Sequence, residues 1–154
     1  MGQELLAAST ITARRLLVEP VEVDVRAYPY DCHRCGAPQI VPAVLNRTEQ
    51  FDPFSVFDAA EGHLASVVAE LLAIGFHPAA SSIRVRRSAG SQSSYLSHGC
   101  QTCDALFGAF YLHDQFSDHA VQQDFHQLPL VMRTSMTELD WVLTEVVHNN
   151  SGLR

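Results

Sequence analysis

Two Cys-x-x-Cys pairs constrain this chain more than any other feature: Cys32 and Cys35 in "CHRC", and Cys100 and Cys103 in "CQTC". They account for all four cysteines in 154 residues. Each such turn sets two sulfurs within reach of one ion, and two turns close a tetrahedral shell with no open position. The pattern predicts one structural Zn²⁺ on Cys32, Cys35, Cys100 and Cys103, and it brings two distant stretches of sequence together. Gly36 follows the first pair, where a knuckle turns sharply and glycine takes positive φ at low cost. Asp104 holds the equivalent place after the second pair, and aspartate enters the left-handed region more readily than most residues. Arg34 lies between the first two ligands, where it offsets thiolate charge. His33 and His98 flank the pairs as alternative ligands, although an exposed or outer position suits them better. Thioredoxin-like redox chemistry wants the motif where a strand runs into a helix, whereas both motifs here lead into strand-like sequence.

The bulk numbers describe a globular chain long enough to bury a core as one domain, 1–154. Hydrophobic residues make up 47% and charged residues 18%. No apolar run approaches the ~20 residues of a membrane span. The opening "MGQELLAASTITARR" has no charged start followed by an apolar stretch, so it is not read as an export signal and a cytoplasmic setting with reduced thiols is expected. The formal net charge is −7, and all ten cations are arginine. That balance disfavours duplex nucleic acid as a generic partner, because such binding rests on cations neutralising phosphates.

Alternation at Val21, Val23 and Val25 marks a half-buried strand running into the first knuckle. "APQIVPAVL" is its return, with Pro42 suggesting an edge or an early end. The first knuckle hairpin thus covers about 28–45 and the second about 95–113. Sixty-four residues separate Cys35 from Cys100, so the ribbon is split by an insertion, 46–94. Within it, Ser55 and Asp58 form a capping box for a helix over 56–74 whose stripe is Phe57, Ala60, Leu64, Val67, Val68, Leu71 and Leu72. Gly75 and Pro78 end that helix. "SIRVRR" is a strand with Ile83 and Val85 on one face and Arg84 and Arg86 on the other, and 88–94 is a polar loop. "ALFGAFYLH" is predicted to leave the second knuckle as a strand containing Gly108. The C-terminal part, 117–150, holds a short helix near 118–126, a strand at 128–133 and a final helix. That helix opens on a Ser135–Glu138 capping box and carries the stripe Met136, Leu139, Val142, Leu143 and Val146. The fold class is α+β: two knuckle hairpins, a helix–strand insertion and a C-terminal helix packed on a mainly antiparallel sheet.

The stretches "YDCHRCGAPQIVPAVL" and "HGCQTCDALFGAFYLHDQF" resemble small bacterial zinc-ribbon proteins. Their second knuckle runs Cys-x-x-Cys-x-Ala-x-x-Gly-x-Phe-x-Leu, matched by Cys100, Cys103, Ala105, Gly108, Phe110 and Leu112. Gln101 and Asp104 stand where that family tends to carry Pro and Gly. The resemblance covers about 35 residues and implies a zinc-ribbon core without implying an activity.

Three other constellations bear on function. Arg84, Arg86 and Arg87 form the densest basic patch; with Tyr95 as a stacking surface they suit a phosphate or a single strand of nucleic acid, or else a solvated strand edge. His113, His119 and His126 lie in "HDQFSDHAVQQDFH", a solvated polar face or a second metal site, without the tight spacing that marks a metalloenzyme. Trp141 falls opposite the apolar stripe of the last helix. It is either an anchor for a protein contact or a ring covered by the N-terminal Leu5, Leu6, Leu16 and Leu17. The leading expectation is a zinc-stabilised binding module whose partner is another protein, with no membrane association. A nucleic-acid-associated ribbon using Arg34, Arg84, Arg86 and Arg87 is the alternative, and a metal-dependent enzyme built on His113, His119 and His126 comes third.

Overall fold

The valine-rich strand before the first knuckle is the centre of the fold. In the computed structural model, which describes residues 19–151, β1 (Pro20–Asp31) pairs antiparallel with β2 (Pro38–Arg47) on one side and β6 (Leu130–Thr137) on the other. A three-residue strand, β3 (Val56–Asp58), adds to the outside of β2, so the sheet order is β3–β2–β1–β6. Pro42 does not end β2. It lies where two residues of β2, Pro42 and Ala43, oppose Ala27 alone, and β3 pairs only with Val44–Asn46 farther on. A β-bulge beside an unpaired edge tolerates a residue without an N–H. A separate two-stranded ribbon is formed by β4 (Ile83–Arg87) and β5 (Ser94–His98), joined by the polar loop.

Among the described residues three helices complete the α+β architecture: α1 (Gly62–Ile74), α2 (Ala109–Gln122) and α3 (Glu138–Ser151). Val21, Val23 and Val25 pack with Leu45 and Phe57 against Leu64, Ala65, Val68 and Leu72 of α1 and Trp141 of α3. A second cluster gathers Tyr28, Val41, Val44, Cys32, Cys100, Phe107, Leu112, Phe125 and Leu128. The segment between the knuckles therefore supplies β2, β3, α1, β4 and β5, and with them much of the first cluster. Among the described residues no helix is long and apolar enough to cross a membrane.

Several local expectations are corrected. The helix predicted over 56–74 starts at Gly62, because Val56–Asp58 pairs with β2 and Ser55 bonds Asp52 instead of capping a helix. Pairing with a neighbouring strand outweighs helical periodicity in so short a run. The strand predicted after the second knuckle is a single bridge, Gly99 to Leu106, after which α2 begins; the short helix predicted near 118–126 is the end of that helix plus a 3₁₀ turn, Phe125–Gln127. The last helix is capped by Thr137, whose Oγ1 accepts the Asp140 N–H at 3.1 Å, since Ser135 is still in β6. Its predicted stripe faces outward: Leu139, Val142, Leu143 and Val146 are exposed, while Trp141 and Thr144 are buried.

Trp141 is 1% exposed, stacked on Phe57 at 4.9 Å, with its indole N–H donated to Glu145 at 2.8 Å. Sequestering a ring of roughly 150–250 Å² at ~25 cal/mol per Å² is worth about 4–6 kcal/mol, which is enough to fix the helix's rotation. The residues Leu5, Leu6, Leu16 and Leu17, the other expected cover for that ring, lie outside the described residues.

β1 was expected to be half-buried but is enclosed on both faces, which forces its polar residues to be paired. Asp24 is fully buried. Its carboxylate accepts from Arg133 at 2.8 and 3.1 Å, from Thr48 at 3.0 Å and from Arg26 at 3.3 Å, and Arg26 also donates to the Leu128 carbonyl at 2.9 Å. Burial pushes the Asp24 pKa up, but Arg133 and Thr48 outweigh it and hold it below the usual 3.8. A depressed folded-state pKa contributes stability above the unfolded value and loses it as pH falls through the folded one. Asp24→Asn is expected to cost about 3 kcal/mol in urea unfolding near neutral pH, because Arg26 is left buried without its anion. The deficit should shrink as the titration is repeated toward pH 3, and a constant deficit would refute this role for the carboxylate.

Candidate metal centre

The hairpin β1–β2 carries the first knuckle at its tip, and β5 delivers the second. The two turns have the same backbone form. The Gly36 N–H donates to the Cys32 carbonyl at 2.8 Å and the Asp104 N–H to the Cys100 carbonyl at 3.0 Å. Cys32 and Cys100 then donate to Ala37 and Ala105, at 3.0 and 2.9 Å. Gly36 and Asp104 both have positive φ, +72° and +65°, as the spacing predicts.

This shared geometry brings the four sulfurs together, each within 4.8 Å of every other. Cys32 faces Cys103 at 3.6 Å and Cys35 faces Cys100 at 3.7 Å. A tetrahedron of thiolates at ~2.3 Å from a central ion has edges of about 3.8 Å, so the cluster has the size of a four-sulfur metal shell. Among the described residues it is the one grouping of three or more Cys, His, Asp or Glu ligand atoms this close.

Backbone amides prepare the sulfurs for negative charge. Arg34 N–H points at the Cys32 sulfur at 3.4 Å, and Thr102 and Cys103 N–H point at the Cys100 sulfur at 3.3 and 3.4 Å. Burial works against ionising Cys100, but these amides and the neighbouring thiols bring its pKa down to about 6. Cys35 accepts a backbone bond from Ala37, yet burial and the three other sulfurs push it up to about 11. Four thiols that resist ionising side by side could do so together around a cation. Neither pair opens a helix directly: β2 follows the first from Pro38, and α2 begins only at Ala109 after the second.

Neither flanking histidine joins the cluster. His33 bonds the Tyr30 hydroxyl at 2.9 Å. His98 is buried, with Nε2 bonded to the Ala59 carbonyl at 2.8 Å, and burial brings its pKa down to about 4, so it is a neutral strut between β5 and the start of α1.

Arg86 is the residue whose part the sequence concealed. Ile83 and Arg86 are the buried members of β4, while Val85 is exposed. The Arg86 guanidinium donates to the Ser82 carbonyl at 2.9 Å, the Ser97 carbonyl at 2.7 Å and Asp104 at 2.9 Å. It lies so close over Gly99 that a methyl group there would collide with Cζ. Asp104 also receives Arg84, from Nε at 3.0 Å. The aspartate standing in a typical glycine position thus ties the second knuckle to β4. Four residues, Ser97, His98, Gly99 and Asp104, hold this arm, and only the positive φ at 104 was open to inference from residue type.

The other sequence candidates are dispersed. Arg34, Arg84, Arg86 and Arg87 do line one depression beside the second knuckle, but Asp104 sits in it and Arg86 is buried. His113 pairs with Asp58 and Glu61, His119 with Asp124 at 2.6 Å, and His126 packs on Phe51; the structure does not bring the three together. Trp141 belongs to the core described above. No protein-family model, curated protein or solved structure matches this chain.

Cys100→Ser should lower Tm by roughly 10 °C or more, since losing a structural metal costs several kcal/mol and a domain of this size shifts about 2–4 °C per kcal/mol. A variant that melts like wild type, with or without chelator, would refute the idea that the four-sulfur cluster acts as a clasp joining the two knuckles. Gly99→Ala should cost at least about 2 kcal/mol by ejecting Arg86 from its buried bonds; urea unfolding measures it, and a neutral result would remove Arg86 from the account.

Proposed function

We propose that the protein is a binding module for another protein, its shape held by one structural zinc ion on Cys32, Cys35, Cys100 and Cys103. Zinc is the assignment because an all-thiolate tetrahedron without an open position is its characteristic structural shell, and because both knuckles resemble those of bacterial zinc ribbons. The closed shell leaves the metal no coordination site for a substrate.

The observation that carries the binding reading is the inverted face of α3. With Trp141 inside, the helix presents Leu139, Val142, Leu143 and Val146 outward, and Leu143 is 51% exposed. Leu143 of this row lines a groove of about 480 Å³ whose other walls include Val67, Leu71 and Ile74 of α1 and Met136 of β6. Two helices flanking an apolar groove suit an amphipathic helix of a partner, and contiguous exposed apolar surface on a soluble domain marks such contacts. The nucleic-acid reading has the arginine depression in its favour, but the single carboxylate of Asp104 already engages two of its guanidinium groups.

Metal analysis of the freshly purified chain should find about one zinc per chain; less than about a tenth would sink the zinc assignment. For the partner, wild type and Leu143→Glu are immobilised side by side and the retained proteins quantified. The substitution should weaken a true partner by ~30-fold, about 2 kcal/mol, while zinc content stays unchanged. Equal retention by both, or retention abolished by nuclease, contradicts the protein-binding reading.

A further inference from the structure

A cavity of about 740 Å³ lies between the start of α1, β5, α2 and α3; none of the four cysteines lines it, and it meets the apolar groove only at His63. Its polar end is Asp58, Glu61 and His113. Asp58 is fully engaged: Oδ1 accepts the Ala60 N–H at 3.0 Å and Oδ2 holds Nδ1 of His113. Burial disfavours charge on His113, but Asp58 and Glu61 outweigh it and raise its pKa above the usual value.

Glu61 is placed differently. It occupies the N-cap position of α1, where the shorter Asp, Asn, Ser or Thr side chains cap best, and it makes no capping bond. Its Oε1 turns instead toward Nε2 of His113 at 3.3 Å, the longer of that ring's two contacts, and the side chain is half exposed. Among the described residues the carboxylate has no other partner.

The remaining wall is mostly apolar and aromatic, with Leu64, Tyr95, Leu96 and Phe116. Among the described residues no arginine lines the cavity, and the chain has no lysine. Two carboxylates, Asp58 and Glu61, meet the single His113 ring at the polar end, an excess of acidic groups there. An anionic ligand would be repelled. A cation on an apolar body would meet a carboxylate with its charge and aromatic rings with its body, the arrangement that desolvated ammonium groups favour.

We propose that this cavity binds a small organic amine, an ammonium group on an apolar or aromatic body, with Glu61 as its charge partner and the Asp58–His113 pair as its fixed polar wall. The test is isothermal titration of the intact, zinc-loaded chain with three probes of one shape: 2-phenylethylamine, 2-phenylethanol and phenylacetate. The amine is expected to bind with a Kd of about 1 mM or tighter, within reach of a ligand of this size. The alcohol and the acid should bind at least about tenfold more weakly, as expected when one charge contact decides recognition. Glu61→Gln, at a half-exposed position, should weaken the amine at least about tenfold while leaving zinc content and Tm unchanged. No heat with the amine, equal binding of phenylacetate, or an undiminished Glu61→Gln would each overturn the proposal.

Discussion

The contact on which the rest of the fold depends is the meeting of four sulfurs from two knuckles 64 residues apart in sequence. The first knuckle stands at the tip of the central hairpin and the second at the end of the separate β4–β5 ribbon. Drawing them together closes a loop that holds β2, β3, α1, β4 and β5. Closing so long a loop costs conformational entropy that rises only slowly with length, so one strong local bond set can hold a large part of the chain in register. The backbone does the preparation: both turns repeat the same hydrogen bonds, and amide groups point at Cys32 and Cys100 before any cation is considered.

Around that clasp the polar interior is organised to support it. Arg86 crosses over Gly99 to Asp104, and His98 reaches Ala59, so the second knuckle is tied to β4 on one side and to the approach of α1 on the other. Asp24 plays a comparable part at the opposite end of β1, where three donors make burial of a charge tolerable. Asp24 is buried because β1 is covered on both faces, and in each case the buried group is held by the partners it finds there.

The surface has a different logic. Turning Trp141 inward leaves four aliphatic residues of α3 on the outside, next to the apolar rim of α1. The Glu61 side chain, released from helix capping, faces a cavity with aromatic walls. The apolar groove and the acidic cavity share His63 at their boundary, so a partner in one lies close to a ligand in the other.

How much of this was legible follows from the range of the interactions involved. The cysteine pairs, the positive φ at Gly36 and Asp104, the strand at Ile83–Arg87 and the stop at Gly75 are set within a few residues, and the sequence alone determined them. The α+β class followed from the same local periodicities. What the sequence could not decide was which face of an element would be covered. Val56–Asp58 became a strand because β2 offered backbone partners, the run after the second knuckle became a helix, and α3 turned its single indole inward in preference to its aliphatic stripe. Those choices depend on neighbours outside the local stretch, Asn46 for Val56 and Phe57 for Trp141, and so does the placing of Arg86 inside rather than on a basic surface. Residue type fixed the chemistry available at each position; only tertiary packing decided which of it is buried in the clasp and which is left facing a partner.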